Sequence, residues 1–450
     1  MNAICRWGPL ALATLLGAGG GAFITAAHAG PSRETPYDLV QALARVLTTV
    51  EGYYVDPVER TKLLRGAVKG MVSELDPHSV YMTTEEWKDA QDEIQGHFAG
   101  VGVEVDLRGD AITVIAPIEG SPAERAGIKG GDRIVAIDDE LVVAPSLEKT
   151  LKRMRGPAGT KVKLRIRRSG VAQPLTFDLI RDVVRVASVR SKPLAFGVGY
   201  LRIRQFQEGV HGELLRHTAS LRAAAGGDLK GLILDLRANP GGLVDEAMDI
   251  ADELLDEGGI YTTRHRGFVV DDVRARRGGA LTKVPVVVLV NDWSASASEL
   301  LAGALQDNNR ALVVGSQTFG KGSVQAIVEL PGIGGLKLTT ARYYTPSGRA
   351  VQADGIHPDV LIASKLNDPE SRFRERDYAN HLPAEPSGNA GGSRSARAIV
   401  DAGVAPEDGG LEPAELGSIP TDPRGGPDYG LDVAFDVLTK QVMLRGARVR

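Results

Sequence analysis

The sequence predicts an α/β protein with a smaller strand-rich module built into it. Three observations lead there. G-L-I-L-D-L-R, ending at Arg237, and V-P-V-V-V-L-V, ending at Val290, are continuous apolar runs and read as buried strands. Stretches with helical spacing follow each of them, Leu243 to Leu255 and Ala297 to Asp307, so strands and helices alternate as in a covered sheet. Between about Phe98 and Asp182 the pattern changes to short alternating strands separated by turns such as R-G-D and R-S-G.

Taken in order, the chain begins with Arg6, a short apolar run from Leu10 to Leu16 and from Ala22 to Ile24, and Ala27-His28-Ala29. This is the layout of a secretory signal peptide cleaved after Ala29; left uncleaved, it would anchor the protein to the membrane. Cys5, the only cysteine, lies inside that segment, so the mature chain has no disulfide, thiol nucleophile or cysteine-based zinc site. The 450 residues are 43% hydrophobic and 24% charged, with a net charge of −4 and a pI near 6.1. That balance gives no basic footprint for a nucleic-acid partner.

Residues 30–94 read as a helical region, with Leu39, Leu43, Val46, Leu47 and Val50 on one periodic face and a second helix from Thr61 to Leu75. L-D-P-H-S breaks that pattern at Asp76 and Pro77. Residues 95–182 form the strand-rich module, with a helix opened by Ser121-Pro122 and another from Ser146 to Met154. Residues 183–366 form the α/β core. Residues 367–429 are rich in Pro, Gly, Ser and Ala and read as a flexible linker. Residues 430–450 carry Leu431, Phe435, Leu438 and Val442 on one helical face, which must dock on its own body or on a partner chain.

Chemistry concentrates at two places in the core. S-A-S-A-S-E, from Ser294 to Glu299, lies where a strand hands over to a helix, at the carboxyl end of the sheet. Ser296 with Glu299 fits a capping box, and a serine there also faces the positive end of the helix dipole. The residues alone leave capping and nucleophilic roles open. A nucleophilic serine needs a base, and none of His78, His97, His211, His217, His265, His357 and His381 sits in a pairing motif. Lys321, between Gly320 and Gly322 with Phe319, Val324 and Ile327 nearby, is the alternative, an amine that desolvation would push toward neutrality. Gln325 could orient Lys321 if the two shared a helical turn, and such a turn is expected. G-S-Q-T-F-G-K also fits the start of a phosphate-binding loop, but Gly322 replaces the required Ser or Thr, and Pro331 cuts off the helix that should follow. N-P-G-G, from Asn239 to Gly242, is a tight turn whose N–H groups could form an oxyanion hole if Ser296 lies close by.

These stretches, with F-A-G-V-G-V-E-V at 98–105 and S-P-A-E-R-A-G-I-K-G-G-D-R-I at 121–134, resemble the carboxyl-terminal processing peptidases of family S41 from about Tyr37 to Val360. The resemblance implies a crotonase-like, Clp-protease-like ββα core with an inserted PDZ domain. It implies Ser296 as nucleophile, Lys321 as base and Gln325 as the residue positioning that base. The oxyanion hole is implied to use backbone N–H groups of Gly241 or Gly242 and of Ala297. The loop Gly100, Val101, Gly102 and Val103 is implied to hold the carboxylate of a substrate C-terminus added as a strand. No metal or cofactor is implied. Implied partners are protein or peptide C-termini, a second copy joined through terminal helices, and a helical-repeat lipoprotein adaptor, in the periplasm or cell envelope. The competing reading is a catalytically silent PDZ scaffold in which Ser296 only caps its helix.

Overall fold

A computed structural model describes residues 35–94, 97–108, 111–118, 120–142, 147–363, 373–385, 398–401 and 416–447. The expected leader, residues 1–29, lies outside them. The chain forms two compact units, Met1–Met71 and Val72–Arg450.

In the first unit, Thr35 caps the helix Pro36–Tyr53: its backbone N–H donates to Asp38 at 2.9 Å while its hydroxyl accepts from the Asp38 N–H at 3.4 Å. Leu39, Val40, Leu43 and Val46 are exposed on that helix. Glu51 near its end pairs with Arg60, which opens the next helix, Arg60–Ser73.

The second unit is organised by a seven-stranded sheet. Its strands run in the spatial order Val189–Pro193, Val198–Ile203, Gly231–Asp235, Val286–Val290, Ala311–Gly315, Val360–Ala363 and Ala398–Asp401. Every neighbouring pair is parallel except the first. The strands alternate between two cores, as the two-residue period of a strand requires. Leu232, Leu234, Val286, Val288 and Val290 face helices Val210–Ala225, Val244–Leu254 and Ala297–Asp307; Ile233, Val287 and Leu289 face the other way. The second core is closed by helix Tyr429–Ala447, through Leu431, Phe435 and Leu438. The terminal helix therefore docks on its own sheet.

A second sheet is antiparallel. It contains Val80–Met82, Gly334–Tyr344, Gly259–His265 and Phe268–Arg274, with Ser323–Leu330 pairing Gly334–Tyr344 as a hairpin. The strand-rich module stands between Val80–Met82 and Val189–Pro193, both of which belong to the larger body, so it is an insertion. It has its own six-stranded sheet and its own core of residues such as Ile112, Val114, Ile134, Leu164 and Ile166. Its neck is the strand pair His97–Gly100 and Asp182–Arg185.

Two expectations need correcting. The helical turn expected from Lys321 to Gln325 is extended: Ser323–Leu330 is a strand, paired from Ser323 opposite Arg342 and shifted in register between Val324 and Gln325. The hairpin supplies partners to this backbone along its length, which a single turn of helix could not match. The flexible linker expected over 367–429 is drawn into the fold where it is described. Arg374 and Glu375 are buried, Ala398–Asp401 extends the main sheet, and Ile419 lies in the second core. Low-complexity composition concealed the few anchoring side chains there.

Candidate active site

Strand Val286–Val290 ends in Asn291-Asp292-Trp293, and helix Ala297–Asp307 begins four residues later. The three serines around this junction, Ser294 and Ser296 before the helix and Ser298 in its first turn, have different fates. Ser294 is fully buried; its hydroxyl donates to the Leu236 carbonyl at 2.8 Å and accepts from the Asn291 N–H at 3.0 Å. Ser298 is also fully buried and donates to the Asn239 carbonyl at 3.0 Å. Ser296 keeps 9% exposure. It occupies the N-cap of the helix with φ 55° and ψ −116°, a strained conformation for a residue with a Cβ. Only half of the capping box forms: the Glu299 carboxylate accepts from the Ser296 N–H at 2.8 Å, whereas the Ser296 hydroxyl makes no cap hydrogen bond and the Glu299 N–H donates to the Ser296 carbonyl at 2.8 Å. The flanking serines hold the loop and the middle hydroxyl is left for other use.

The Ser294 bond ends on Leu236, just before the N-P-G-G loop, and the Ser298 bond ends on Asn239 within it, so the same contacts that fix the serine loop fix its neighbour. The Ala295 N–H adds a third, to the Asn239 carbonyl at 3.0 Å. Gly241, at φ 100°, leaves no room for a side chain, since a Cβ there would stand 2.8 Å from the Cβ of Ser296. A Cβ on Gly242, at φ 138°, would meet the Phe206 carbonyl oxygen at 2.1 Å. The turn does lie beside Ser296. One of the three expected oxyanion donors is nevertheless committed elsewhere, because the Gly241 N–H donates to the Asn239 side-chain oxygen at 2.9 Å in an Asx turn. Ala297 opens its helix, where backbone N–H groups have no partner within the helix.

Lys321 lies on the loop between strands Ala311–Gly315 and Ser323–Leu330. Ser296, Lys321, Gly241, Gly242 and Gln325 line one cavity of about 610 Å³. Burial lowers the Lys321 pKa to about 8, helped by the like charge of Lys337 and opposed by Glu375, Glu299 and Asp76. Gln325 lies on the strand, and its side-chain amide donates to Ser323 at 2.8 Å and to Thr339 at 3.2 Å. Thr339 in turn donates to Asp76 of L-D-P-H-S at 3.0 Å.

Several groups in this neighbourhood were not read from the sequence as parts of the site. Glu299, read from the sequence as a cap, is fully buried and accepts from the N–H groups of Ser296 at 2.8 Å, Gly320 at 2.7 Å and Lys321 at 2.9 Å, and from the Thr318 hydroxyl. Glu375 is fully buried, contacts His78 at 2.7 Å and accepts from Gln352 at 2.9 Å; Gln352 accepts from the Gly322 N–H at 3.0 Å. The base loop is thus held from two sides, by the serine helix and by a segment inside the expected linker. Its only sequence hint was charge within a biased stretch.

In the inserted module, Val103–Arg108 is an edge strand, paired on one side with Ala111–Pro117 and open on the other among the described residues. The Gly102 carbonyl accepts from the Ile118 N–H at 3.0 Å and from the Ser121 hydroxyl at 2.9 Å, and the Val101 carbonyl accepts from the Ala123 N–H at 2.9 Å. These bonds fix the loop from Gly100 to Val103. A cavity of about 440 Å³ lies beside it, lined by Phe98, Val101, Val103, Leu151, Met154 and Arg155 among others. Among the described residues no cluster of side chains could hold a metal ion, and no helix is long and apolar enough to cross a membrane.

An inserted peptide-binding-type module and a serine that lines the same cavity as a desolvated lysine fit a serine-type peptidase that carries a PDZ domain, and the chain belongs to peptidase family S41. The profile of that family matches residues 197–362, a PDZ domain profile matches 113–168, and the profile "Activating protease CtpB N-terminal domain" matches 25–86. A "Carboxy-terminal-processing protease" of Bartonella bacilliformis is 38% identical over 81% of this chain and 85% of its own length. "Carboxy-terminal processing protease CtpA" of Bacillus subtilis is 35% identical over 71% and 68%. A solved "photosystem II D1 C-terminal processing protease" shares 29% identity over 72% of this chain and 92% of its own, with a TM-score of 0.44.

Proposed function

We propose that Ser296 and Lys321 form the catalytic dyad of this peptidase and that it cleaves exported proteins at or near their C-termini. The observation that carries the assignment is the division of labour among the three serines: two are locked into the fold, and the third lies on the cavity that also holds a desolvated lysine. The Ser296 hydroxyl attacks the scissile carbonyl while neutral Lys321 takes its proton. The resulting ammonium returns that proton to the leaving amine, and water then hydrolyses the acyl-enzyme. The N–H groups of Gly242 and Ala297 receive the oxyanion; Gly241 acts as a spacer without a side chain. The Gln325 amide nitrogen is occupied, so its oxygen is the atom left to accept from the Lys321 ammonium.

A substrate C-terminus adds to the open edge of Val103–Arg108, with its carboxylate at the loop from Gly100 to Val103. Export through the residues 1–29 leader would place the enzyme in the periplasm or cell envelope. The terminal helix spends its apolar face on its own sheet, so self-association or binding of a helical-repeat adaptor falls to the exposed face of helix Pro36–Tyr53.

The test is cleavage of a disordered reporter with an apolar C-terminus by the full chain and by Ser296→Ala and Lys321→Ala. The parent should cleave and both variants should lose activity by at least about 1,000-fold while folding normally. Parental activity in Ser296→Ala would overturn the dyad, and peptide binding without turnover by the parent would favour the scaffold reading.

A further inference from the structure

Glu299 lies where neither the nucleophile nor the base needs a carboxylate for proton transfer. It is fully buried, and its hydrogen-bond partners among the described residues are three backbone N–H groups and one hydroxyl. One oxygen takes Thr318 and Gly320, and the other takes Ser296 and Lys321. The second oxygen therefore joins the backbone of the proposed nucleophile directly to that of the proposed base, across chain segments from two different strand ends. A helix cap would require only the Ser296 contact.

We propose that Glu299 is the positioning residue of the dyad, a carboxylate clamp that sets Ser296 against Lys321 and does so only when ionised. This rests on the assignment of Ser296 and Lys321 above. The requirement for ionisation follows from the donors. All three N–H groups can only donate, so a proton on either oxygen would oppose an N–H or displace one. Ordinary structural carboxylates remain ionised far below neutrality. Here burial raises the Glu299 pKa to about 7, with its four hydrogen bonds only partly offsetting that cost. Lys321 is the charged group adjoining it; Lys321 also feels Lys337, Glu375 and Asp76.

Two protonations then switch the enzyme off in acid, one on Glu299 and one on Lys321. The clamp also has a second, opposite effect. Its negative charge favours the Lys321 ammonium, so removing that charge lowers the pKa of the base. Glu299→Gln should therefore loosen the geometry and, at the same time, shift the remaining activity to lower pH. A purely structural role that did not depend on ionisation would leave the parent's acid limb with a single proton, that of Lys321.

The experiment measures kcat and KM for the full chain on the disordered reporter from about pH 5 to pH 9.5. For the parent, kcat/KM should fall with a two-proton dependence on the acid side. Glu299→Gln, checked for folding by circular dichroism, should lose about 100-fold in kcat with KM nearly unchanged. Its acid limb should become one-proton and move to lower pH. A one-proton limb in the parent overturns the clamp without any variant being made. So does a folded Glu299→Gln enzyme with parental kcat, or one whose midpoint stays in place. Ser296→Ala run alongside separates the two claims: if it remains active, the dyad assignment fails, whereas an inactive Ser296→Ala with an unaffected Glu299→Gln removes only the clamp.

Discussion

Asp235 and Glu299 are both fully buried, Asp235 at the end of strand Gly231–Asp235 and Glu299 in the first turn of helix Ala297–Asp307, each beside the candidate site. Their surroundings differ in one respect. Asp235 faces the guanidinium of Arg237 at 2.6 to 3.1 Å and accepts from the Tyr200 hydroxyl at 2.7 Å. Arg237 is completed by a second carboxylate, Asp428, through two bonds of 2.8 Å. Burial pushes the Asp235 pKa up, but the charge and hydrogen bonds of Arg237 more than cancel that, and the net shift is downward. Glu299 has as many partners, but they are neutral, and its pKa rises to about 7. Hydrogen bonds alone leave a buried carboxylate titratable near neutrality; a bonded cation makes it a permanent charge. The first arrangement is suited to a part that must respond to protons, the second to one that must not.

Arg237→Ala should break the comparison most severely. It leaves Asp235 and Asp428 buried without their cation, and about 3–5 kcal/mol of stability should be lost, read by denaturant titration. Asp428→Asn keeps the shape and weakens one side of the cluster; about 1.5–3 kcal/mol is expected, with the acid limb of activity unmoved. Lys337→Met sharpens the other side. Lys337 lowers the pKa of Lys321, so its loss should raise that pKa and move the rise of activity to higher pH, by roughly 0.5 pH unit or less. This is opposite in sign to the shift expected from Glu299→Gln. Gln325→Ala should have the smallest effect on folding, below about 1 kcal/mol, because it loses only contacts with Ser323 and Thr339; a fall in kcat without a change in KM would mark its action on Lys321.

What could be read from the sequence was whatever a local pattern encodes. The apolar runs ending at Arg237 and Val290 announced strands buried on both faces, and these lie centrally in the seven-stranded sheet. Ser296 and Lys321 stood out because glycine, alanine and apolar neighbours make a small, dry site. Hydrogen bonds between distant segments left no such trace. The strand at Gln325 depends on its partner from Gly334 to Tyr344, and the local spacing suggested a helical turn instead. Asn239 looked like a turn residue, and its side chain does hold the turn, by taking the N–H of Gly241, one of the expected oxyanion donors. Glu375 and Asp428 sat in composition that masks single anchors, and Asp428 meets its partner Arg237 only across 191 residues of chain.

That separation sets the timing of folding. Arg237 is made 191 residues before Asp428, and the helix that seals the second core follows Asp428. Until those residues emerge, a guanidinium beside the N-P-G-G loop lacks half its counter-charge and one face of the sheet stays wet. A chain ended at residue 415 should therefore be protease-sensitive and inactive even though it contains Ser296 and Lys321. Competence at Ser296 and Lys321 thus waits on Asp428, a residue made long after both.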